Sequence, residues 1–96
     1  TIPIINIHPS LLPKYGGKGM YGKRVHEAVK RDLAEETGIT IHYVNESLDE
    51  GEIIAQYSCK IAPSDSIEDI ANKVQHLEHT HYPSTVNQIL NPKGSS

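Results

Sequence analysis

Apolar residues crowd the start of the chain, where Ile2, Ile4, Ile5 and Ile7 lead into His8 and Pro9 closes the run. A short apolar stretch ended by proline predicts a β-strand over residues 2–8. It reads apolar on both faces, the pattern of a strand covered on both sides within a parallel sheet. The period then changes. Val25, Val29 and Leu33 recur every four residues with Ala28 beside them, predicting a helix over about residues 20–36 that ends near Gly38. Between strand and helix, residues 14–22 hold four glycines and read as a flexible loop. The β-branched run at residues 39–45 predicts a second strand, and residues 47–52 a polar turn.

Residues 53–61 alternate: Ile53, Ala55, Tyr57, Cys59 and Ile61 fall on one face, with Gln56, Ser58 and Lys60 on a wetter one. After Pro63, Ser66 and Asp69 are spaced to cap a helix, with Asp where Glu or Gln is usual. That helix would bury Ile67, Ile70, Val74 and Leu77. Tyr82-Pro83 should interrupt it, leaving Val86, Ile89 and Leu90 for one more helical piece. No internal repeat or linker is present. The elements add up to an α/β chain of about three strands and two to three helices.

With 96 residues the chain is one domain at most. Phe and Trp are absent and aromatics make up 5%, so Ile, Val, Leu, Ala and Tyr must form the core. That is thin for a domain that also carries a site. A chain opening on Thr, directly into an apolar strand, reads as the carboxyl-terminal part of a longer protein. The net charge of −3 with nine basic residues leaves no nucleic-acid footprint. A single cysteine excludes a disulfide framework and a multi-cysteine zinc site. No stretch has membrane-spanning length and no signal-peptide pattern is present, so a cytoplasmic protein is expected.

The chemistry gathers where the first strand ends. Asn6 and His8 are two residues apart in an extended stretch and share a face. The carboxyl end of an α/β strand is where ligands are usually handled. A side-chain amide donates to an oxyanion, and an imidazole moves protons near neutral pH. A nearby carboxylate, for which Asp49 is the candidate, favours the imidazolium. Such a set suits formyl transfer to an amine.

Other groups read as structural. Glu50 and Glu52 beside Asp49 are solvated turn residues. His76, His79 and His81 look like metal ligands, but no distant fourth ligand accompanies them and no metal is expected. Cys59 alternates with apolar neighbours as an inert buried thiol. The glycine loop lacks the Gly-Lys-Ser/Thr ending of a phosphate-binding loop, so a mobile lid is the better reading.

The run Asn6-Ile7-His8-Pro9-Ser10-Leu11-Leu12-Pro13 precedes Gly38-Ile39-Thr40-Ile41-His42-Tyr43-Val44. Leu48-Asp49-Glu50-Gly51-Glu52-Ile53-Ile54 and Gln56 follow. In that order these residues resemble the phosphoribosylglycinamide formyltransferase family, from about residue 4 to Pro83 and over its second half only. The resemblance implies the carboxyl-terminal part of a Rossmann-like fold, with residues 1–90 as the catalytic half and 91–96 as a tail. The amino-terminal, nucleotide-binding half is absent and becomes the implied partner.

The resemblance also implies Asn6, His8 and Asp49 as catalytic residues. Asn45, Glu46, Ser47, Leu48 and Asp49, with Asn6, would bind 10-formyltetrahydrofolate, the formyl donor. Gln75, His76, Leu77 and Glu78 would contact glycinamide ribonucleotide, with Glu78 holding ribose hydroxyls. His42 matches a buried histidine beside the catalytic group. Two sister folate enzymes share the Asn-x-His and Asp pattern. Methionyl-tRNA formyltransferase usually has an Arg-Gly run where this chain has Tyr15-Gly16-Gly17, and formyltetrahydrofolate deformylase usually has another residue at Pro9. The other alternative is an inactive fragment or assembly module that needs its amino-terminal half, with an exposed strand edge that would favour homo-oligomers.

Overall fold

A computed structural model describes residues 4–17, 19–20, 22–44 and 50–90, with the backbone alone at positions 50 and 51. Strand β1 (Ile5–His8) is followed by helix α1 (Lys23–Arg31), strands β2 (Glu36–Val44) and β3 (Glu50–Lys60), and helix α2 (Ile67–Leu90). The strands form one sheet in the order β1-β2-β3, and both pairings are antiparallel. The parallel neighbourhood expected for β1 is therefore not found among the described residues. Its faces differ as well: Ile5 and Ile7 pack toward the core, whereas Ile4 is 67% exposed and Asn6 is exposed. One apolar face suffices for an antiparallel strand.

Central strand β2 is buried continuously from Thr37 to His42. Its Ile39 and Ile41 meet Val74 of α2, with Ile5, Ile7, Ile54, Tyr57, Leu77 and Tyr82 around them. A second cluster joins the helices through Val25, Val29 and Ile70, with Tyr15, Met20, Ala34 and Ile61 packed against it.

Helix α1 is shorter than its periodicity suggests. Gly22, at φ 57°, precedes it, and Leu33, at φ 53°, follows it. Leu33 N–H donates to the Lys30 carbonyl (3.0 Å) and Ala34 N–H to the Val29 carbonyl (3.2 Å). This is a Schellman ending with leucine in the left-handed position that glycine usually fills. Gly38, expected to end the helix, lies inside β2. A Cβ there would run into the Tyr57 carbonyl oxygen and come within 2.7 Å of Leu11 Cδ2. Close approach of backbone to backbone requires glycine at this point.

The alternation of β3 also breaks. Register shifts between Ile41 and His42, and between His42 and Val44, bulge the β2–β3 ladder. Beyond the bulge Ile54 joins the core, and Ile53, expected there, is 46% exposed. The expected capping arrangement is present. Ser66 Oγ accepts from Asp69 N–H (3.0 Å), and Asp69 Oδ2 accepts from Ser66 N–H (2.9 Å). Helix α2 then runs through Pro83 without the expected break. Core contacts on both sides of the proline, Tyr82 and the buried Thr85, hold it together. No helix among the described residues is long and apolar enough to cross a membrane.

Candidate active site

Antiparallel register sets Asn6 opposite His42 and His8 opposite Thr40, so these four side chains share the sheet face away from Ile39 and Ile41. Imidazole His8 is half-buried, and its Nε2 lies 2.8 Å from the Tyr15 carbonyl oxygen. A carbonyl only accepts, so Nε2 carries a proton and Nδ1 is the nitrogen left for other partners. His42 is 4% exposed, and by the same reasoning its Nδ1–H donates to the Tyr43 carbonyl (2.9 Å). The buried histidine implied by the resemblance thus lies in register with Asn6.

A polar clasp fixes the chain just after His8. Thr40 Oγ1 donates to the Ser10 carbonyl (2.7 Å) and accepts from Leu12 N–H (2.9 Å) and Gln56 Nε2 (2.9 Å). Gln56 Nε2 also donates to the Leu12 carbonyl (2.9 Å), and Ser10 Oγ donates to the Lys14 carbonyl (2.6 Å). Every hydrogen-bonding position of the buried Thr40 hydroxyl is used. None of Ser10, Thr40, Gln56 and Tyr15 was foreseen as a site residue. The available signal was Thr40, a hydroxyl flanked by Ile39 and Ile41, paired with Gln56 on the wetter face of β3.

On the other side of β1, a cleft of about 880 Å³ opens between the helices. Ile7 and Pro9, the chain neighbours of His8, border it together with His26, Gln75 and Glu78. Burial pushes the Glu78 carboxyl above its ordinary value, partly countered by His79. His26 is 7% exposed, its Nδ1 has no hydrogen-bond partner, and burial lowers its pKa. The four residues expected to contact the nucleotide therefore separate. Gln75 and Glu78 face the cleft, whereas Leu77 packs on the Ile39–Ile41 cluster and His76 is exposed on another side, near Cys59 and Lys73. Asn45, Glu46, Ser47, Leu48 and Asp49 lie outside the described residues.

Of the histidines considered for metal, His81 is engaged elsewhere. His81 stacks on Tyr57, with ring centroids 3.7 Å apart and planes 3° from parallel. Among the described residues no three His, Cys, Asp or Glu side chains come together to hold a metal ion. Cys59 is half-buried, and burial pushes its thiol pKa up. The glycine loop is tied down at its start, where Tyr15 meets both His8 and Asp32.

Residues 1–86 match the family model described as formyl transferase. The chain is 48% identical to the chloroplastic phosphoribosylglycinamide formyltransferase of Arabidopsis thaliana, covering 90% of this chain and 30% of that protein. With phosphoribosylglycinamide formyltransferase of Bacillus subtilis the identity is 45%, covering 91% of this chain and 42% of the other. A solved structure of the Bacillus halodurans enzyme superposes with a TM-score of 0.79 at 41% identity, over 95% of this chain and 44% of that one. The Anaplasma phagocytophilum enzyme gives 0.80 at 37%, over 94% and 42%. The chain thus spans less than half the length of these relatives, and it belongs to the formyl transferase family.

Proposed function

We propose that the protein to which these residues belong transfers the formyl group of 10-formyltetrahydrofolate to the amine of glycinamide ribonucleotide. One observation carries this reading: Asn6 and His8 leave β1 side by side, with His8 Nε2 already committed to the Tyr15 carbonyl. The amine attacks the formyl carbon, and Asn6 donates a hydrogen bond to the oxyanion that forms. A proton leaves the amine, and another reaches the folate nitrogen as it departs; Nδ1 of His8 is the atom free to carry it. Asp49 helps relay the protons that His8 exchanges. Asn45, Glu46, Ser47, Leu48 and Asp49 bind the folate, and Gln75 and Glu78 bind the acceptor's ribose from the cleft. His76 and Leu77, directed elsewhere, are left out of that set. The relatives' additional length supports a partner segment that completes the nucleotide site.

The test is a chimera in which the matched segment replaces its counterpart in the Bacillus subtilis relative. The chimera is offered a 10-formyl folate with glycinamide ribonucleotide, charged initiator tRNA or water. Folate deformylation that requires glycinamide ribonucleotide supports the reading. Equal reaction with tRNA, or with water alone, replaces it by one of the sister activities.

A further inference from the structure

We propose that Tyr15 is a positioning residue for His8: its carbonyl selects the tautomer with the proton on Nε2, and its side chain fixes that carbonyl by anchoring to α1. The meaning for catalysis rests on His8 carrying the proton in the formyl transfer above; the geometry stands apart from it.

The backbone of Tyr15 is at φ 56°, in the left-handed region. For a residue with a Cβ this conformation is strained and persists only where the surroundings hold it. Two contacts do so. The ring packs against the Val25, Val29 and Ile70 cluster between the helices. The hydroxyl donates to Asp32 Oδ2 at 2.8 Å. Burial first, and the Asp32 carboxylate second, push the phenol pKa up, so the hydroxyl remains a donor.

Asp32 itself closes α1, its N–H bonded to the Ala28 carbonyl. A carboxylate is disfavoured at that end of a helix, which already carries partial negative charge. One oxygen, Oδ1, lies 3.4 Å from Arg31 Nε in the last turn, and the other, Oδ2, takes the shorter bond from Tyr15. On the other side of Tyr15, Ser10 Oγ holds the Lys14 carbonyl and Lys14 N–H returns to the Leu11 carbonyl (3.0 Å). Tyr15 is thus held through its side chain and through the Lys14 backbone that precedes it. The packing of α1 is in this way transmitted to the orientation of one imidazole, and Nδ1 is left as the nitrogen that exchanges protons with a ligand.

The test is isotope-edited NMR of the histidine side chains in the full chain, above the pH at which imidazoles titrate, with His8 assigned from a His8→Asn variant. We expect an observable, slowly exchanging Nε2–H proton on His8 and essentially a single tautomer. Tyr15→Phe and Asp32→Ala should abolish that proton signal and relax the tautomer ratio to the weaker preference of free imidazole. Asp32→Asn keeps an acceptor oxygen and should restore both. His42, bonded elsewhere through Nδ1, should be unchanged throughout and reports that the variants are folded. A His8 without a protected Nε2–H in the wild-type chain, or one that keeps it in both Tyr15→Phe and Asp32→Ala, overturns the proposal. The readout is a proton and not turnover, so an inactive chimera with this signal intact counts against formyl transfer alone.

Discussion

At the residue scale, burial raises the Glu78 carboxyl above its ordinary value, so at neutral pH the folded chain holds a charge that the unfolded chain leaves in water. A carboxylate with a raised folded-state pKa contributes most to stability below its unfolded pKa. That contribution is lost as pH rises through the folded value. Glu78→Gln removes the ionisation and keeps the shape. We expect it to raise the melting temperature at pH 7, to have little effect at pH 4, and to weaken acceptor binding in the active chimera. Thermal melts at the two pH values check the first part. Cleft neighbour His26 slopes the other way. Its lowered pKa means that stability falls as pH drops below about 6.5, where the unfolded chain takes up a proton that the folded chain refuses. Melts of Glu78→Gln and of a His26 variant, followed separately, resolve the two slopes.

At the element scale, features set by neighbours in the chain were legible, and features set by partners across the fold were not. The Ser66–Asp69 cap spans three residues and was readable from spacing. The bulge in β3 depends on how it meets β2, so strict alternation pointed to Ile53 where Ile54 is the core residue. Gly38 looked like a helix terminator because glycine favours that role. Its observed role is to let the Tyr57 carbonyl pass close by, and leucine fills the left-handed position at the helix end. Leu33 is 73% exposed, so little packing is lost by replacing it. Leu33→Gly should stabilise the chain by about 0.5–1 kcal/mol, strain relief being partly offset by the entropy of unfolded glycine. Chemical denaturation checks this, read as a higher midpoint at unchanged slope.

At the scale of the whole molecule, the candidate site has a legible half and a half that only the fold assembles. Asn6 and His8 stood out because they lie two residues apart at the end of one strand, in an unusual octapeptide. The clasp that holds the following loop joins residues 28 and 44 positions apart, Leu12 with Thr40 and Leu12 with Gln56, and no local pattern announces it. The same holds for Tyr15 and Asp32, 17 positions apart. Residues 75–78 form one segment in sequence, but a helix turns its side chains to different sides, and of these four only Gln75 and Glu78 reach the cleft. Strand β1 lies at an edge of the described sheet, and relatives of this chain are more than twice as long. The proposed function therefore has to be tested with the remaining length of a relative supplied.

The decisive measurement is single-turnover formyl transfer to glycinamide ribonucleotide by the chimera, as wild type and as His8→Ala, with folate binding measured alongside. We expect His8→Ala to slow transfer by about 10²–10⁴-fold while folate still binds. Near-normal transfer by His8→Ala would remove the histidine from the chemistry and contradict the account.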